Sequence, residues 1–416
     1  MNVLIFSITY FPFVGGAEVA VKEITDRIIC HVGRDAKFCV STTGDDKCID
    51  FDLITAKLNK KLPDFEKIGN VNVYRVGWGW KLDKYFYPVL AFRKAVKLHR
   101  QKKYDIAQAI MANYAGLTAL LFKLKDKNLK YLLTEQSGDS DFFILIRTWF
   151  WQPIYKMVYT KADFIQPISL WLEKRIRRYG YKGESRIVPN GVDVKKFSIF
   201  NSQFSMNEQF SIFNFKKEIK KKFGFGEDDE IIITVSRLVK KNGVEDLIRG
   251  LKEIEKLEIK KFSPEAGGGI KLLIAGTGKL ENKLKKLVAS LKLQNKVIFL
   301  GHIGHDELPK YLWASDIFCR PSLTEGFGNV FIEAMAAGVP VVATPVGGIP
   351  DFLVDGETGI FCKVENPKSI AECVIRLLSD QDLYAKIAKN GRRLVEERYD
   401  WENIAFQMRG IYKKLS

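Results

Sequence analysis

Short apolar runs alternate with longer amphipathic segments along the first half of the chain. Val3-Leu4-Ile5-Phe6 is apolar at every position, as in a strand that is buried on both faces of a parallel sheet. Similar runs predict strands at 2–8, 37–43, 71–76, 105–111, 131–135, 163–168 and 186–189. Helical patterns lie between several of these runs, so this half is predicted to be an α/β domain with helices on both faces of its sheet.

The second half repeats the pattern after a stretch without strands. Its predicted strands are 230–237, 270–276, 296–301, 316–320, 340–344 and 359–363. The stretch between the halves mixes Phe with Ser, Asn and Lys and includes a short basic helix pattern. We therefore expect an N-terminal domain over 1–195, a linker or insertion over 196–229, a second domain over 230–399 and a C-terminal helix over 400–416 that packs back on the first domain. Two doubly wound sheets place a ligand cleft at the carboxyl ends of their strands, between the domains.

Composition narrows the class of protein. The chain has 416 residues, of which 46% are hydrophobic and 28% charged, which excludes a disordered, collagen-like or coiled-coil protein. No apolar run reaches the roughly 18 residues of a spanning helix, since even 142–159 is interrupted by charged residues and a proline. The N-terminus has neither a basic leader nor a small-residue cleavage site, and the six cysteines form no C-x-x-C pair and no zinc-type cluster with the four histidines. These features predict a soluble or peripheral cytoplasmic protein with reduced thiols and no metal site.

The positive charge lies in the first half of the chain. Residues 51–200 have 28 basic and 13 acidic side chains, a net charge of +15, whereas 301–416 carries −3. Such a skew predicts an anionic partner, with solvated lysine faces as the alternative interpretation. No zinc finger, helix-turn-helix or RNP-type strand supports a nucleic acid. Two aromatic and basic segments, 142–159 and 168–179, are candidates for contact with an anionic membrane, although a helix in this fold also buries one face in the core.

Two glycine-containing turns could bind an anion. Gly15 and Gly16 follow the first strand and precede a helix, whose N-terminal N–H groups favour negative charge. They do not form the G-x-G-x-x-G fingerprint, so a hydride-transfer enzyme is disfavoured. In the second half, Gly326 and Gly328 expose amides at another predicted helix N-terminus, with Glu325 just before them.

Charged side chains surround this second turn. Glu333 lies about two turns into the predicted helix, so it and Glu325 could each hold a different hydroxyl group. Arg237 and Lys241 follow the strand at 230–237, where a guanidinium fork and a lysine could converge on a diphosphate.

Six segments together resemble the retaining family 4 glycosyltransferases. These are GGAE at 15–18, IVPNGVD at 187–193, SRLVKKNGV at 236–244, LLIAGTGK at 272–279, PSLTEGFGNVFIEAMAAGVPVVAT at 321–344 and VGGIPDFLVDGETG at 346–359. The resemblance implies an α/β GT-B fold, with two Rossmann-like doubly wound parallel-sheet domains that face each other across a cleft. It also implies a nucleotide sugar held mainly by the C-terminal domain, without a metal or other cofactor.

The resemblance assigns roles to individual residues. Arg237 and Lys241 would contact the diphosphate, Glu325 the transferred sugar and Glu333 the ribose hydroxyls. The other positions assigned to the donor are Gly15, Gly16, Asn190, Asn242, Gly276, Gly278, Gly326, Phe327, Gly328, Asn329 and Val330. Glu135 and Gln136 are assigned to the acceptor or sugar side.

The chain departs from this family at two positions. Many relatives have histidine where this chain has Gln136, which cannot titrate, so histidine acid–base chemistry is excluded there. Relatives often have lysine at the position of Asn242, and here the lysine lies one residue earlier, at Lys241. The histidines at 31, 99, 302 and 305 are assigned surface or packing roles.

The expected function is the retaining transfer of a hexose or N-acetylhexosamine from a nucleoside diphosphate, UDP in preference to GDP, to a glycan or lipid-linked acceptor. This chemistry belongs to cell-surface polysaccharide or glycolipid synthesis, at the inner face of the cytoplasmic membrane. Two alternatives stay open: a GT-B sugar-nucleotide epimerase or hydrolase, and an inactive sugar-nucleotide-binding scaffold, suggested by Gln136 and Asn242. The sequence carries no signal for the oligomeric state.

Overall fold

The described chain forms two compact units. The protein's structure, a computed structural model, describes residues 1–13, 15–28, 48–198, 206–257 and 268–416, with the backbone alone for 206–214. The first unit comprises Met1–Gly191 and Trp401–Ser416, and the second comprises Val192–Asp400. Residues 196–229, expected as a linker or insertion, belong to the second unit where they are described. The strand predicted at 37–43 lies outside the described residues.

The first unit is built on an eight-stranded sheet. Its strands are β1 (Asn2–Phe6), β2 (Asp50–Ala56), β3 (Phe65–Ile68), β4 (Val71–Val76), β5 (Ile106–Ile110), β6 (Lys130–Glu135), β7 (Phe164–Pro167) and β8 (Glu184–Ser185). Their order is β3-β4-β2-β1-β5-β6-β7-β8, and only the β3–β4 pair is antiparallel. The helices of this unit are α1 (Gly16–Arg27), α2 (Asp83–Gln101), α3 (Tyr114–Lys125), α4 (Asp141–Thr148), α5 (Gln152–Thr160), α6 (Leu170–Arg178) and the C-terminal α15 (Trp401–Leu415).

The alternation of side chains along β1 shows that both faces of this sheet are covered. Val3 and Ile5 lie in one buried cluster, which includes residues of α1 and α15, whereas Leu4 and Phe6 lie in another, which includes residues of α2, α3 and α5. The unbroken apolar run at 3–6 is thus buried on both faces of the sheet, as its pattern predicted. On α15, Tyr412 is buried and donates a hydrogen bond from its hydroxyl to Gln108 Oε1, 2.7 Å away.

The second unit has a six-stranded, wholly parallel sheet. Its strands are β9 (Glu230–Val235), β10 (Ile270–Ala275), β11 (Val297–Gly301), β12 (Ile317–Arg320), β13 (Val341–Ala343) and β14 (Ile360–Phe361), in the order β11-β10-β9-β12-β13-β14. The helices are α7 (Val194–Phe197), α8 (Met206–Phe223), α9 (Val244–Lys256), α10 (Glu281–Ser290), α11 (Leu308–Trp313), α12 (Asn329–Ala336), α13 (Pro367–Ser379) and α14 (Gln381–Arg398). Each of the six strands was predicted to within a few residues.

Prediction was less complete in the first unit. Strands β2 and β3 were missed, and β8 ends before the strand that was expected at 186–189. A buried carboxylate disguises β2, because Asp52 interrupts its apolar pattern. This side chain is 2% exposed and accepts hydrogen bonds from the Tyr104 hydroxyl at 2.5 Å and from Asn72 Nδ2 at 2.8 Å.

The cysteines and helices test two further expectations. Cys319, Cys362 and Cys373 are free thiols, but Cys48 is disulfide-bonded, so the expectation that all six cysteines are reduced is wrong. Among the described residues, no helix combines the length and the apolar character that crossing a bilayer requires.

The side chain of Arg175 ties α6 to the loop before α4. It is fully buried, its guanidinium carbon lies 4.1 Å from the Trp171 ring centroid, and its Nη1 donates to the Ser137 carbonyl oxygen at 3.0 Å. Nη2 donates to the carbonyl oxygen of Asp139, and Nε lies 2.8 Å from Asp141 Oδ1. Helix α6 thus turns this cation, with Leu172 and Ile176, into the core. Membrane contact by 168–179 stays a prediction.

Replacing this arginine tests how strongly the loop is held. We expect Arg175→Met to lower the free energy of unfolding of the first unit by about 3 kcal/mol, because the carbonyl oxygens of Ser137 and Asp139 lose a buried donor and Asp141 loses one of its two cationic partners. Arg178→Ala is the matched control, since Arg178 also pairs with Asp141, at 2.7 Å, but is 58% exposed. It should cost less than about 1 kcal/mol. Urea denaturation followed by circular dichroism measures both, and equal losses would contradict the buried role of Arg175.

Candidate functional site

Four loops of the second unit lie at one edge of its sheet. They follow β9, β10, β12 and β13, which are adjacent in the order β10-β9-β12-β13 and run parallel. The carboxyl ends of parallel strands lie at the same edge, where open α/β sheets bind their ligands. The loops are 236–243, 276–280, 321–328 and 344–348.

Glycines allow the backbones of these loops to touch. A Cβ atom on Gly243 would lie 1.8 Å from the Pro321 carbonyl oxygen, and one on Gly347 would lie 1.7 Å from that of Glu325. Both glycines have positive φ, +68° and +61°. No other residue fits these contacts, so the glycines fix the loops against one another.

Gly276 and Gly278 serve the same purpose between the loops after β9 and β10. A Cβ on Gly276 would lie 1.9 Å from the Ser236 carbonyl oxygen, and one on Gly278 would lie 2.4 Å from that of Leu238. Their glycine character is thus explained by packing within the protein. The same contacts bring the 276–280 loop beside the segment that carries Arg237.

A buried arginine that the sequence analysis missed holds Glu325. Arg320, at the end of β12, donates from Nη2 to Glu325 Oε2 and, over 2.9 Å, to Asn242 Oδ1. The amide of Asn242 in turn donates to the Arg237 carbonyl oxygen at 2.6 Å, and Asn242 is 2% exposed. Asn242, predicted to contact the donor, thus connects the two loops through its side chain.

Glu325 is oriented at both of its oxygens. Oε2 pairs with Arg320, and Oε1 accepts the N–H of Gly326 at 3.0 Å. Its side chain keeps 13% of its surface exposed. Among the described residues, three buried polar atoms nearby lack a hydrogen-bond partner: Ser236 Oγ, Arg320 Nε and Ser322 Oγ. Unpaired buried polar groups are uncommon in folded proteins.

The N-terminus of α12 follows directly. Gly328 precedes the helix with φ of +90°, and the first helical residues are Asn329 and Val330, both half-buried. Free N–H groups at such an end favour an anion. The ring of Phe327, a residue predicted to contact the donor, is 1% exposed and packs on Phe352, with ring centroids 5.2 Å apart.

Glu333 on α12 has a histidine partner. His305 Nε2 lies 3.2 Å from Glu333 Oε1, and the other ring nitrogen, Nδ1, lies 3.1 Å from Lys196 Nζ. Lys196 also pairs with Asp306 at 2.5 Å. The surface or packing role assigned to His305 is thus incomplete. The 28 residues that separate it from Glu333 carry no periodic signal that could have linked the two in sequence.

Arg237 and Lys241 provide positive charge on the loop after β9. The Arg237 side chain is exposed, and its guanidinium has no hydrogen bond or ion pair with any residue that the structure describes. Lys241 is half-buried, and its carbonyl oxygen accepts the N–H of Leu323 at 2.7 Å. Cationic groups and a helix N-terminus can bind phosphate, and carboxylates can accept hydrogen bonds from sugar hydroxyls.

The remaining predicted residues belong to the first unit. Gly15 precedes α1 with extended backbone, and Gly16 is its first residue. Asn190 Nδ2 donates to Gln136 Oε1 over 3.4 Å, so these two side chains lie together. Glu135 is 1% exposed, and burial raises the pKa of its carboxyl group, an effect opposed by Arg175 and by hydrogen bonds from Ser137, Tyr159 and Ala112.

Two family models match the chain. Residues 215–394 match the glycosyl transferases group 1, and residues 45–196 match glycosyltransferase family 4. These ranges contain the loops described above and the sheet residues of the first unit from β2 to β8.

Curated relatives agree with these matches. An uncharacterized glycosyltransferase of Methanocaldococcus jannaschii is 35% identical over 228 residues, 55% of this chain and 53% of the relative. A GDP-mannose-dependent monoacylated alpha-(1-6)-phosphatidylinositol monomannoside mannosyltransferase of Corynebacterium glutamicum is 30% identical over 260 residues, 61% of this chain and 62% of the relative. The chain thus spans between half and two thirds of the length of these two relatives.

Solved structures share the fold. Sucrose-phosphate synthase from Thermosynechococcus elongatus has a TM-score of 0.78 at 22% identity, covering 100% of this chain and 98% of that one. HepE of Anabaena, solved with UDP-glucose, has a TM-score of 0.73 at 18% identity, covering 100% of both chains. With two parallel-sheet α/β domains, GT-B structural neighbours and both family models, this chain belongs to the group 1, family 4 glycosyltransferases.

Proposed function

We propose that the protein transfers a hexose or N-acetylhexosamine, with retention of configuration, from a nucleoside diphosphate to a glycan or lipid-linked acceptor. The observation that carries the proposal is the convergence of Arg237, Lys241, Glu325 and the start of α12 on interlocked loops at one sheet edge. In this arrangement the cations and the helix N–H groups would bind the diphosphate. Glu325 would hold the sugar, and Glu333 would accept hydrogen bonds from the ribose hydroxyls.

The proposed reaction exchanges one bond at the anomeric carbon for another on the same face. The bond from C1 to the diphosphate oxygen breaks, the acceptor oxygen bonds to C1, and its proton passes to the departing phosphate. Negative charge grows on the diphosphate as it leaves, so preorganised cations lower the barrier. Arg237 and Lys241 would do this without a divalent ion.

Glu325 suits a sugar-binding role better than a nucleophilic one. Its Oε2 is paired with Arg320 and its Oε1 accepts a backbone N–H. Both interactions hold the carboxylate in one orientation and occupy lone pairs on each of its oxygens. A double displacement through this group, as in retaining hydrolases, is therefore not part of the proposal.

We favour UDP over GDP as the nucleotide, with the transfer serving cell-surface polysaccharide or glycolipid synthesis. HepE, of the same fold, was solved with UDP-glucose, whereas the Corynebacterium relative is GDP-mannose-dependent. The phosphatidylinositol monomannoside in that relative's name agrees with a lipid-linked acceptor here, and the +15 charge of residues 51–200 agrees with an anionic membrane surface. The protein would then work at the inner face of the cytoplasmic membrane.

A nucleotide panel tests the donor site directly. We expect UDP-sugars to raise the thermal unfolding midpoint of the purified protein more than GDP-, ADP- or dTDP-sugars, because a ligand that binds only the folded state stabilises it. The shift should survive EDTA if no metal is needed. A larger shift with GDP-sugars would mean that the donor carries GDP and not UDP. The absence of any shift would contradict the transferase, and sugar consumption without an acceptor would favour the epimerase or hydrolase.

Arginine 237 can be tested without knowing the acceptor. We expect Arg237→Ala to weaken UDP binding about 10- to 100-fold, the usual loss for a charge-assisted hydrogen bond, while uridine affinity changes less than about twofold. Isothermal titration or ligand NMR measures both. Arg393→Ala, which removes a 74% exposed arginine of the same unit, is the control. An equal loss for uridine would contradict the assignment to the diphosphate.

Glutamate 333 should behave differently. We expect Glu333→Ala to weaken uridine and UDP alike, by about 10-fold or more, because the ribose is common to both ligands. His305→Ala serves as the comparison variant: it removes the partner at 3.2 Å and should give a smaller loss, as the carboxylate itself stays in place. Unchanged nucleotide affinity in Glu333→Ala would overturn the ribose assignment.

A further inference from the structure

Helix α4 of the first unit turns its apolar side chains outward. Of its eight residues only Ile144 and Thr148 are buried. Phe142 and, in the following turn, Trp149 and Phe150 are each 72% exposed. Phe143, Leu145 and Ile146 are each more than half exposed. We call residues 142–150 the α4 rim. Such a concentration of exposed large apolar residues marks an interaction surface.

A second exposed apolar set precedes and begins α2. Trp78 and Trp80 are 59% and 56% exposed, and Leu82, Tyr85, Phe86 and Val89 are also exposed. The tryptophans are held in place, because the buried carboxylate Oδ2 of Asp83 accepts the backbone N–H groups of Trp78, Gly79 and Trp80 at 2.7–3.0 Å. We call residues 78–89 the tryptophan rim. The fold fixes this loop while leaving its two indoles in solvent.

The two rims border one pocket. The pocket has a volume of about 410 Å³ and is lined by Tyr85 from the tryptophan rim and by Phe143 and Phe150 from the α4 rim. Tyr114 links the two sides, since its ring lies 6.0 Å from that of Tyr85 and stacks at 6.4 Å on Trp151.

The pocket also has polar lining at the carboxyl ends of β5 and β6. Asn113, Glu135, Ser137 and Asp139 line it there, and Arg147 lines it from α4. The Arg147 side chain is exposed and has no hydrogen bond or ion pair with any described residue. A cavity with an apolar rim, polar lining and an uncompensated guanidinium matches a molecule with a hydrocarbon chain and an anionic head.

The exposed charged side chains of both rims are positive. Lys81, Lys84 and Arg147 are exposed, and so is Lys156 on α5. Of the nearby acidic side chains, Asp83 is buried, Asp141 is paired with Arg175 and Arg178, and Asp139 is half-buried in the pocket lining. Exposed tryptophan and phenylalanine next to cations are typical of a surface that lies in the interface of an anionic bilayer.

We propose that this pocket binds the phosphate-bearing head of a membrane-embedded lipid acceptor while both rims enter the bilayer interface. The inference rests on the proposed transferase function and specifies its acceptor. Arg147 would contact the lipid phosphate, and the aromatic rims would lie around its hydrocarbon chain. The acceptor hydroxyl would then be presented at the carboxyl edge of the first sheet, where Glu135 lies.

Vesicle binding tests the rims. Wild-type protein should co-sediment with vesicles of 70% phosphatidylcholine and 30% phosphatidylglycerol at low salt, and far less with pure phosphatidylcholine. The pairs Trp78→Ser/Trp80→Ser and Trp149→Ser/Phe150→Ser should each lower the partition coefficient at least tenfold. Phe406→Ser, which removes a 78% exposed phenylalanine on α15 of the same unit, should leave it unchanged. Equal binding by the rim variants and the wild type would overturn the proposal.

A soluble probe tests the pocket. Farnesyl phosphate should bind at least tenfold more tightly than farnesol or inorganic phosphate, which separates a lipid headgroup from a free phosphate. Arg147→Gln should remove that preference without changing the unfolding midpoint, because the side chain is exposed and pairs with no residue in the described part of the chain. Equal affinity for farnesol, or an unchanged preference in Arg147→Gln, would overturn the pocket assignment.

Two outcomes separate this inference from its alternatives. Sedimentation velocity should show that the wild type and the rim variants have the same oligomeric state. A wild-type dimer that the rim substitutions convert to a monomer would mean that a second copy covers the rims, and it would overturn the proposal. The nucleotide panel tests donor binding without any lipid present. A nucleotide shift without lipid binding would leave the transferase intact and overturn only the lipid acceptor, whereas lipid binding without any nucleotide shift would overturn the proposed function.

Discussion

The candidate donor site depends on backbone contacts that only glycine permits. At Gly243, Gly276 and Gly347 a Cβ atom would lie 1.7–1.9 Å from a carbonyl oxygen of the neighbouring loop. These contacts join the loops after four adjacent strands into one surface. Because the joints are made by main chain, the side chains of Arg237 and Glu325 are positioned by a framework that does not depend on their own interactions.

The loops of this site also contain a buried positive charge, which hydrogen bonds and one ion pair balance. Arg320 is the buried cation, and it is shared between the Glu325 carboxylate and the neutral amide of Asn242. A lysine at position 242 would bring a second cation next to Arg320, at a place where burial already disfavours charge. The appearance of lysine at 241 and asparagine at 242 is consistent with this constraint. The departure from the family pattern therefore has a structural reason and does not by itself indicate an inactive site.

The sequence predicted the strands of the second sheet better than it predicted the side-chain contacts between its loops. All six strands of the second unit follow from short apolar runs, since burial on both faces favours apolar side chains at most positions. Strand β2 was missed because Asp52 is buried through hydrogen bonds, which a hydrophobic pattern cannot reveal. The partners of Glu325 and Glu333 were also missed. Arg320 stands at the end of a strand with no motif that marks it as buried, and His305 is distant from Glu333 along the chain. Motifs identify residues that face a ligand, whereas the residues that orient them are found only through tertiary contacts.

The two units expose different kinds of side chain, and each kind suits a different ligand. The second unit presents charged groups and backbone amides on interlocked loops, which suits a small, highly charged ligand that must be held in one orientation. The first presents fixed tryptophans, an outward apolar helix and an exposed arginine that pairs with no described residue, all around a larger pocket. This suits an amphiphile whose chain needs no fixed geometry. Asp83 and Arg175 make this exposure stable, since each is a buried charge that holds the loop carrying an apolar rim. Solvent-exposed aromatic residues would otherwise favour collapse onto the protein surface, so the buried charges maintain a surface whose apolar groups remain available to a partner.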